Sequence, residues 1–232
     1  VFYSMLVSVN SLRHNPTIKT EAANYGYNDM TYGFLGYPVS QSADITFCKA
    51  NLVPVGEDQK PHMEMTRKIV RRFNELYGET LVEPDMMLSD CPRLMGLDGN
   101  AKMGKSLGNA IYLSDPAEEV RKKVMSAVTD ASRIKKDDPG HPDICVVSKY
   151  HKVFNAGEYE NICESCKKGA IGCVACKKAL ASALNDLLEP FREKRAYYEA
   201  HRDEVRDIIL TGSEKANKIG NETVKEVKEA MH

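Results

Sequence analysis

The sequence predicts an α/β domain followed by an all-α domain, and two stretches carry that prediction. Asn51-Leu52-Val53-Pro54-Val55-Gly56 is a brief apolar run closed by a glycine, as a buried strand is. Glu57-Asp58-Gln59 follows as a polar turn, and then a helix carries Met65, Ile69, Phe73, Leu76 and Tyr77 on one face and stops at Gly78. Strand, turn and helix make the βα unit of an α/β sheet, in which ligands bind beyond the carboxyl ends of the strands. The second stretch begins at Ser114, where the texture turns helical. Asp115-Pro116-Ala117-Glu118 offers an N-cap, a first-turn proline and a capping-box Glu, with Val120, Val124 and Val128 at helical spacing beyond it.

Amphipathic stretches are expected over Ala179–Ala200, which Pro190 should kink or split, over Asp203–Leu210, and over Ser213–Met231, with Gly212-Ser213 as a stop and a restart. The expected division is 1–112 for the α/β part and 113–232 for the helical part.

Composition narrows the function classes. The chain has 232 residues, 42% hydrophobic and 28% charged, which suits one large or two small soluble domains. Thirty-two Lys plus Arg face 33 Asp plus Glu, so any nucleic-acid contact must come from local patches and not from bulk charge. No apolar run reaches the ~18–20 residues of a membrane span. The opening Val1-Phe2-Tyr3-Ser4-Met5-Leu6-Val7 lacks the charged start of a signal peptide and reads as a cut edge. Ten methionines and the lack of a targeting pattern fit a reducing cytoplasm.

Seven cysteines include four, Cys163, Cys166, Cys173 and Cys176, that crowd into one short segment. They read first as thiolates for a metal. Two Cys-x2-Cys pairs suit Zn²⁺, although the spacer between them is short for a zinc ribbon. An iron–sulfur cluster also takes four cysteines, from more varied spacings. Lys167, Lys168, Lys177 and Lys178 bracket them, either as a solvated face or as an RNA-phosphate contact.

Lys102-Met103-Gly104-Lys105-Ser106-Leu107-Gly108-Asn109 is a loop with two lysines three apart and glycines that allow close backbone approach, which suits a polyphosphate. It is not a Walker A loop, and on spacing alone a solvated loop is the simpler reading.

That run resembles the Lys-Met-Ser-Lys-Ser loop of class I aminoacyl-tRNA synthetases, which grips the ATP phosphates, with Gly104 in place of the usual Ser. Gly36-Tyr37-Pro38, Ala43-Asp44-Ile45, the block from Val53 to His62 and Ala127-Val128-Thr129-Asp130 narrow the resemblance to the tryptophanyl-tRNA synthetase family. The likeness covers essentially the whole chain. It implies part of a Rossmann-like catalytic domain followed by a helical anticodon-binding domain, with tryptophan, Mg²⁺·ATP and tRNA(Trp) as ligands and a homodimer as the family's assembly. The six histidines make no His-x-Gly-His pattern, and no first strand with a Gly-rich turn is present. The chain is therefore expected to show little or no aminoacylation by itself.

The resemblance also implies roles by position. Lys102 and Lys105 would stabilise the departing pyrophosphate, with Met103, Gly104 and Ser106 completing the loop. Tyr37, Gln41 and Asp44, at i, i+4 and i+7, would share a helix face toward tryptophan, Asp44 accepting the indole N–H. Val53 and Val55 would line the indole slot. Gly56, Glu57, Asp58 and Gln59 would contact ribose, amino acid or both, and Leu94 adenine through its backbone. Gln41-x-x-Asp44 also resembles the pair that holds the tyrosine hydroxyl in archaeal-type tyrosyl-tRNA synthetases, the rival within the class. A non-catalytic tRNA-binding module is the rival outside it.

Some family members hold a [4Fe–4S] cluster on one distant Cys and then Cys-x6-Cys-x2-Cys. Cys166, Cys173 and Cys176 match the last three positions, with Cys145 as the distant partner and Cys163 as the alternative fourth ligand. Zn²⁺ is the alternative metal. Lys177 and Lys178 would meet tRNA phosphate beside it.

Overall fold

The computed structural model describes residues 1–89, 94–99, 103–104 and 107–232. They form two compact units, Val1–Pro92 with Arg206–His232, and Arg93–Val205.

The first unit starts with short helices α1 (Val9–Arg13) and α2 (Pro16–Tyr25), followed by α3 (Tyr32–Thr46). Asn15 caps α2, its carboxamide oxygen accepting from the Thr17 and Ile18 N–H groups, and Pro16 fills the first turn, where no N–H is needed. The expected βα unit is present and is completed by a second strand. Strand β1 (Leu52–Val55) leads through the Glu57–Gln59 turn into α4 (Lys60–Tyr77), and β2 (Asp85–Leu88) pairs parallel to β1, with Leu52 opposite Asp85 and Val55 opposite Leu88.

Helix α4 buries Met63, Met65, Ile69, Val70 and Phe73, while Leu76 at its far end is exposed. Its buried positions recur every three to four residues, which sets one stripe against α3 and the residues before it. Gly78 ends the helix, and Asn74 binds the next turn by accepting from the Thr80 and Leu81 N–H groups.

The second unit packs α5 (Ala117–Ser126), α6 (Val146–Phe154), α7 (Ala156–Lys167) and α8 (Cys173–Ala200) around Val120, Val124, Val147, Tyr150, Leu180 and Leu184. Helix α9 (Arg202–Ala230) begins in this unit and runs mostly in the first. There, Thr223 donates to the Phe47 carbonyl at 2.7 Å and Lys49 pairs with Glu226.

Several local expectations fail, each for a tertiary reason. Helix α8 is not split at Pro190, because burying Leu180, Ala181, Leu184 and Leu188 outweighs the ~3 kcal/mol that an interior proline costs. Helix α9 runs through Gly212-Ser213 without a stop, since an interior glycine costs only about 1 kcal/mol. Asp115 does not cap α5; its carboxylate accepts from the Tyr112 N–H and from Lys123 Nζ at 2.6 Å. Val128 lies beyond the end of α5 and is exposed, its N–H bonded to the Leu97 carbonyl. Compaction also draws its own line at Pro92/Arg93, because Leu97 is buried in the helical core with Leu94, Met103 and Ile111 packed against it. The functional division at 112/113 stays a proposal.

Among the described residues no helix is long and apolar enough to cross a membrane.

Candidate active site and cysteine cavity

In the first unit, Tyr37, Gln41 and Asp44 project from α3, and Val53 and Val55 are the half-buried alternate positions of β1. Two of the expected groups meet directly. Gln41 Nε2 donates to Gln59 Oε1 at 3.0 Å, which joins α3 to the turn at the carboxyl end of β1. Gly56, Glu57 and Asp58 form the exposed part of that turn, held in place where Thr17 Oγ1 donates to the Asp58 carbonyl at 3.1 Å. Asp44 is exposed and makes no such junction.

Tyr37 has partners that sequence reasoning missed. Its hydroxyl lies 3.0 Å from Glu21 Oε2 on α2 and 3.0 Å from His62 Nε2 on α4. Burial raises the Tyr37 pKa, and the neighbouring Glu21 raises it further, so the phenol stays protonated. Nothing in the local pattern marks Glu21 or His62. His62 stands in the block that carries the resemblance, but its role appears only when three helices are assembled.

Burial holds His62 below the usual histidine value of 6.5, against the opposing pull of Glu21 and Asp58. The folded chain thus keeps it neutral where the unfolded chain takes up a proton. The stability this neutrality contributes is fully present above about pH 6.5 and is lost as the pH falls below it toward the depressed folded value. Between about pH 7 and pH 5 the thermal midpoint should therefore drop more steeply in the wild type than in His62→Gln. Parallel curves for the two proteins would deny His62 this part in acid sensitivity.

The other nucleotide-site candidates belong to the second unit. Leu94 and Met103 pack on its core, and Gly104 N–H donates to Asn109 Oδ1 at 2.9 Å. Asn109, buried and also bonded to Asp98, is the organiser of this loop that sequence reasoning did not single out. Lys102, Lys105 and Ser106 lie outside the described residues.

The cysteines are brought together in the second unit. Cys145 directly precedes α6, Cys166 lies in the last turn of α7, and Cys173 and Cys176 open α8. These four line one cavity of ≈ 20 Å³. Cys163 does not line it; its sulfur lies 3.7 Å from Ser148 Oγ. Arg133 aims its guanidinium at the Cys166 and Cys173 sulfurs, at 3.8 and 3.9 Å, and its Nε is buried without a hydrogen-bond partner. Gly140 leaves room for Cys166, since a Cβ there would lie 2.6 Å from its sulfur. Burial pushes the Cys176 thiol up to about 12, and the neighbouring Cys145, Cys166 and Cys173 sulfurs add to the rise.

Among the described residues no group of three or more His, Cys, Asp or Glu is arranged to hold a metal ion. Neither the zinc nor the iron–sulfur expectation therefore has a ready-formed ion site behind it. The donor set is of the soft kind that thiolate-ligated metals use, but the cavity of ≈ 20 Å³ between the sulfurs has no room for a cluster as it stands.

Beside this cavity lies a second, of ≈ 610 Å³, lined by Arg133, Lys135, Lys136 and Lys178 among others. Lys177 faces elsewhere, its ammonium donating to the Met125 carbonyl at 2.9 Å.

A parallel strand pair spanned by a helix, a ligand-facing turn at its carboxyl end and an attached helical unit are features of class I aminoacyl-tRNA synthetases. The family model described as "tRNA synthetases class I (W and Y)" matches residues 1–189. A tryptophan–tRNA ligase of Aquifex aeolicus is 48% identical over 208 residues, 89% of this chain and 52% of the relative. One from Streptococcus pyogenes serotype M3 is 48% identical over all of this chain and 71% of its own length. The crystal structure of a tryptophanyl-tRNA synthetase from Campylobacter jejuni, complexed with ADP and tryptophan, superposes with a TM-score of 0.79 at 27% identity, covering 99% of this chain and 71% of that one. The chain belongs to the tryptophan–tRNA ligase family. Its fold is accordingly the class I synthetase fold, a partial Rossmann-like domain with a helical domain.

Proposed function

We propose that the chain serves tryptophan activation and transfer to tRNA(Trp). The tryptophan carboxylate attacks the α-phosphate of Mg²⁺·ATP, giving tryptophanyl-adenylate and pyrophosphate. A terminal ribose hydroxyl of the tRNA then takes the aminoacyl group and AMP leaves. The observation that carries this reading is the junction of Tyr37-bearing α3 with the β1 turn through Gln41 and Gln59, in a chain of this family.

Val53 and Val55 would wall the indole, and Asp44 would accept its N–H. Gly56, Glu57, Asp58, Leu94, Met103 and Gly104 would meet the nucleotide. Lys102 and Lys105, with Ser106, would neutralise charge growing on the pyrophosphate. No protein nucleophile is required; positioning and charge stabilisation carry the reaction. A homodimer in the cytoplasm is the assembly and compartment that fit the family.

The chain contains no Trp, so added tryptophan reports its own binding through indole fluorescence without protein background. The wild type should bind tryptophan in preference to tyrosine. Asp44→Ala should weaken binding roughly 10- to 100-fold, as expected when a bound N–H is left unpaired. Tighter tyrosine binding would transfer the reading to the tyrosyl branch. tRNA binding without tryptophan binding or pyrophosphate exchange would favour the non-catalytic module.

By resemblance the cysteine set is that of a [4Fe–4S] cluster on Cys145, Cys166, Cys173 and Cys176, with Zn²⁺ as the alternative. The cavity of ≈ 20 Å³ would have to open to admit a cluster, and the turn of Cys163 toward Ser148 favours Cys145 as the fourth ligand. When bound, such a cluster would supply a covalent anchor between the starts of α6 and α8 and the end of α7. The tRNA backbone contact falls to Lys178 with Lys135 and Lys136, since Lys177 is engaged by Met125. Lys178→Ala should reduce the salt slope of tRNA binding by about 1, whereas Lys177→Ala should leave it unchanged. The opposite ranking would place the RNA on another face.

A further inference from the structure

The hydrogen bonds around Tyr37 form a directed chain, and its direction is set two helices away. Asn15 is 5% exposed, and its carboxamide oxygen caps α2 by accepting from Thr17 N–H at 2.9 Å and Ile18 N–H at 3.4 Å. That cap decides which end of the amide faces inward. Asn15 Nδ2, a donor only, is thereby turned toward His62 Nδ1 at 3.5 Å. His62 is 1% exposed and neutral, so an accepting Nδ1 leaves the ring proton on Nε2. Nε2 sits 3.0 Å from the Tyr37 oxygen and donates to it. The phenol proton is left to go to Glu21 Oε2, also at 3.0 Å. Each link removes one choice from the next, and all four residues belong to the first unit.

We propose that Asn15, His62 and Glu21 are positioning residues that fix the Tyr37 hydroxyl proton on the Glu21 side. The phenol oxygen then offers its remaining lone pair, not a proton, to a hydrogen-bond donor of the bound amino acid. This rests on the reading of Tyr37 as part of the tryptophan pocket. A tyrosine hydroxyl free to rotate can serve a donor or an acceptor. One whose proton is committed selects for a donor and loses less freedom on binding.

Long-range ¹H–¹⁵N NMR of the His62 ring tests the chain directly. In the wild type at about pH 8.5, Nδ1 should carry no proton; a protonated Nδ1 overturns the proposal. Asn15→Asp keeps a residue that caps helices well, but replaces the inward donor with an acceptor. Nδ1 should then be protonated, and an Nδ1 that stays bare overturns the proposal as well. Tryptophan titrations separate positioning from simple packing. His62→Gln retains an amide donor and should bind within about threefold of the wild type, whereas His62→Leu should lose roughly tenfold, the worth of one hydrogen bond. Equal losses in both variants remove the positioning role. Equal retention, with the NMR result intact, leaves the relay standing and removes Tyr37 from the pocket. A wild-type chain that ignores tryptophan counts against the pocket reading alone.

Discussion

Under the proposed cluster assignment, wild-type protein reconstituted anaerobically with ferrous iron and sulfide should turn brown and absorb near ~400 nm, Cys145→Ser is expected to abolish both signals, and Cys163→Ser should keep them. The resemblance makes Cys145 the fourth ligand with Cys163 as the alternative, and the fold sets the two residues in different surroundings. Cys145 shares a cavity with Cys166, Cys173 and Cys176, whereas Cys163 is buried against Ser148. A cluster losing one of four thiolates loses most of its stability, so the effect is close to all-or-none. Serine at a buried cysteine can also weaken the fold, so far-UV melting of both apo variants serves as the control. Cluster loss in Cys163→Ser with retention in Cys145→Ser would reverse the ligand assignment. Colourless protein that holds one zinc under the same conditions would remove iron altogether.

Gly169→Ala should destabilise the second unit by about 2–5 kcal/mol in urea unfolding. Two costs combine. Gly169 follows α7 in the left-handed region at φ +67°, where any side chain is strained. A Cβ there would also lie 2.2 Å from the Asp137 carbonyl oxygen and 2.9 Å from its carbon, which are backbone atoms that cannot swing away. The Gly140 and Gly169 N–H groups both donate to the Cys166 carbonyl at 3.0 Å, so displacing either loop disturbs a cavity cysteine. The variant should therefore unfold early, and under the proposed cluster reading it should also take up iron poorly. Gly157→Ala is the matched control, because it lies within α7 with nothing within 4 Å of an added Cβ. It should be neutral or stabilising by up to ~1 kcal/mol. Equal stability of the two variants would show that the Asp137 loop yields at little cost.

Much of the fold was legible because it is written in short-range pattern. The Val-Pro-Val strand, the turn after it and the α4 stripe from Met65 to Phe73 are each encoded within a few residues, and each stands where expected. Helix ends were read less well. Pro190, Gly212 and Asp115 carry local signals of about 1–3 kcal/mol, and packing or a competing partner outweighed each of them. The same holds within the site. Gln41 and Gln59 were both named as pocket residues, but their mutual hydrogen bond joins two elements and has no signature in either.

By itself the sequence determined the family, through linked blocks from Gly36 to Asp130, and with it the class of fold; it also named the residues proposed for the tryptophan side and the cysteines proposed for a cluster. Those are matters of residue identity at fixed spacing, which a linear chain displays in full. The tertiary structure alone decided that Cys163 turns to Ser148 while Cys145 lines a cavity with the other three cysteines, that Lys177 is held by Met125, and that Asn15, His62 and Glu21 converge on Tyr37. Each of these depends on where side chains from separate helices point once their apolar faces are buried. Hydrogen bonds at 3 Å between residues tens of positions apart leave no trace in local periodicity, since burial of those faces supplies the geometry.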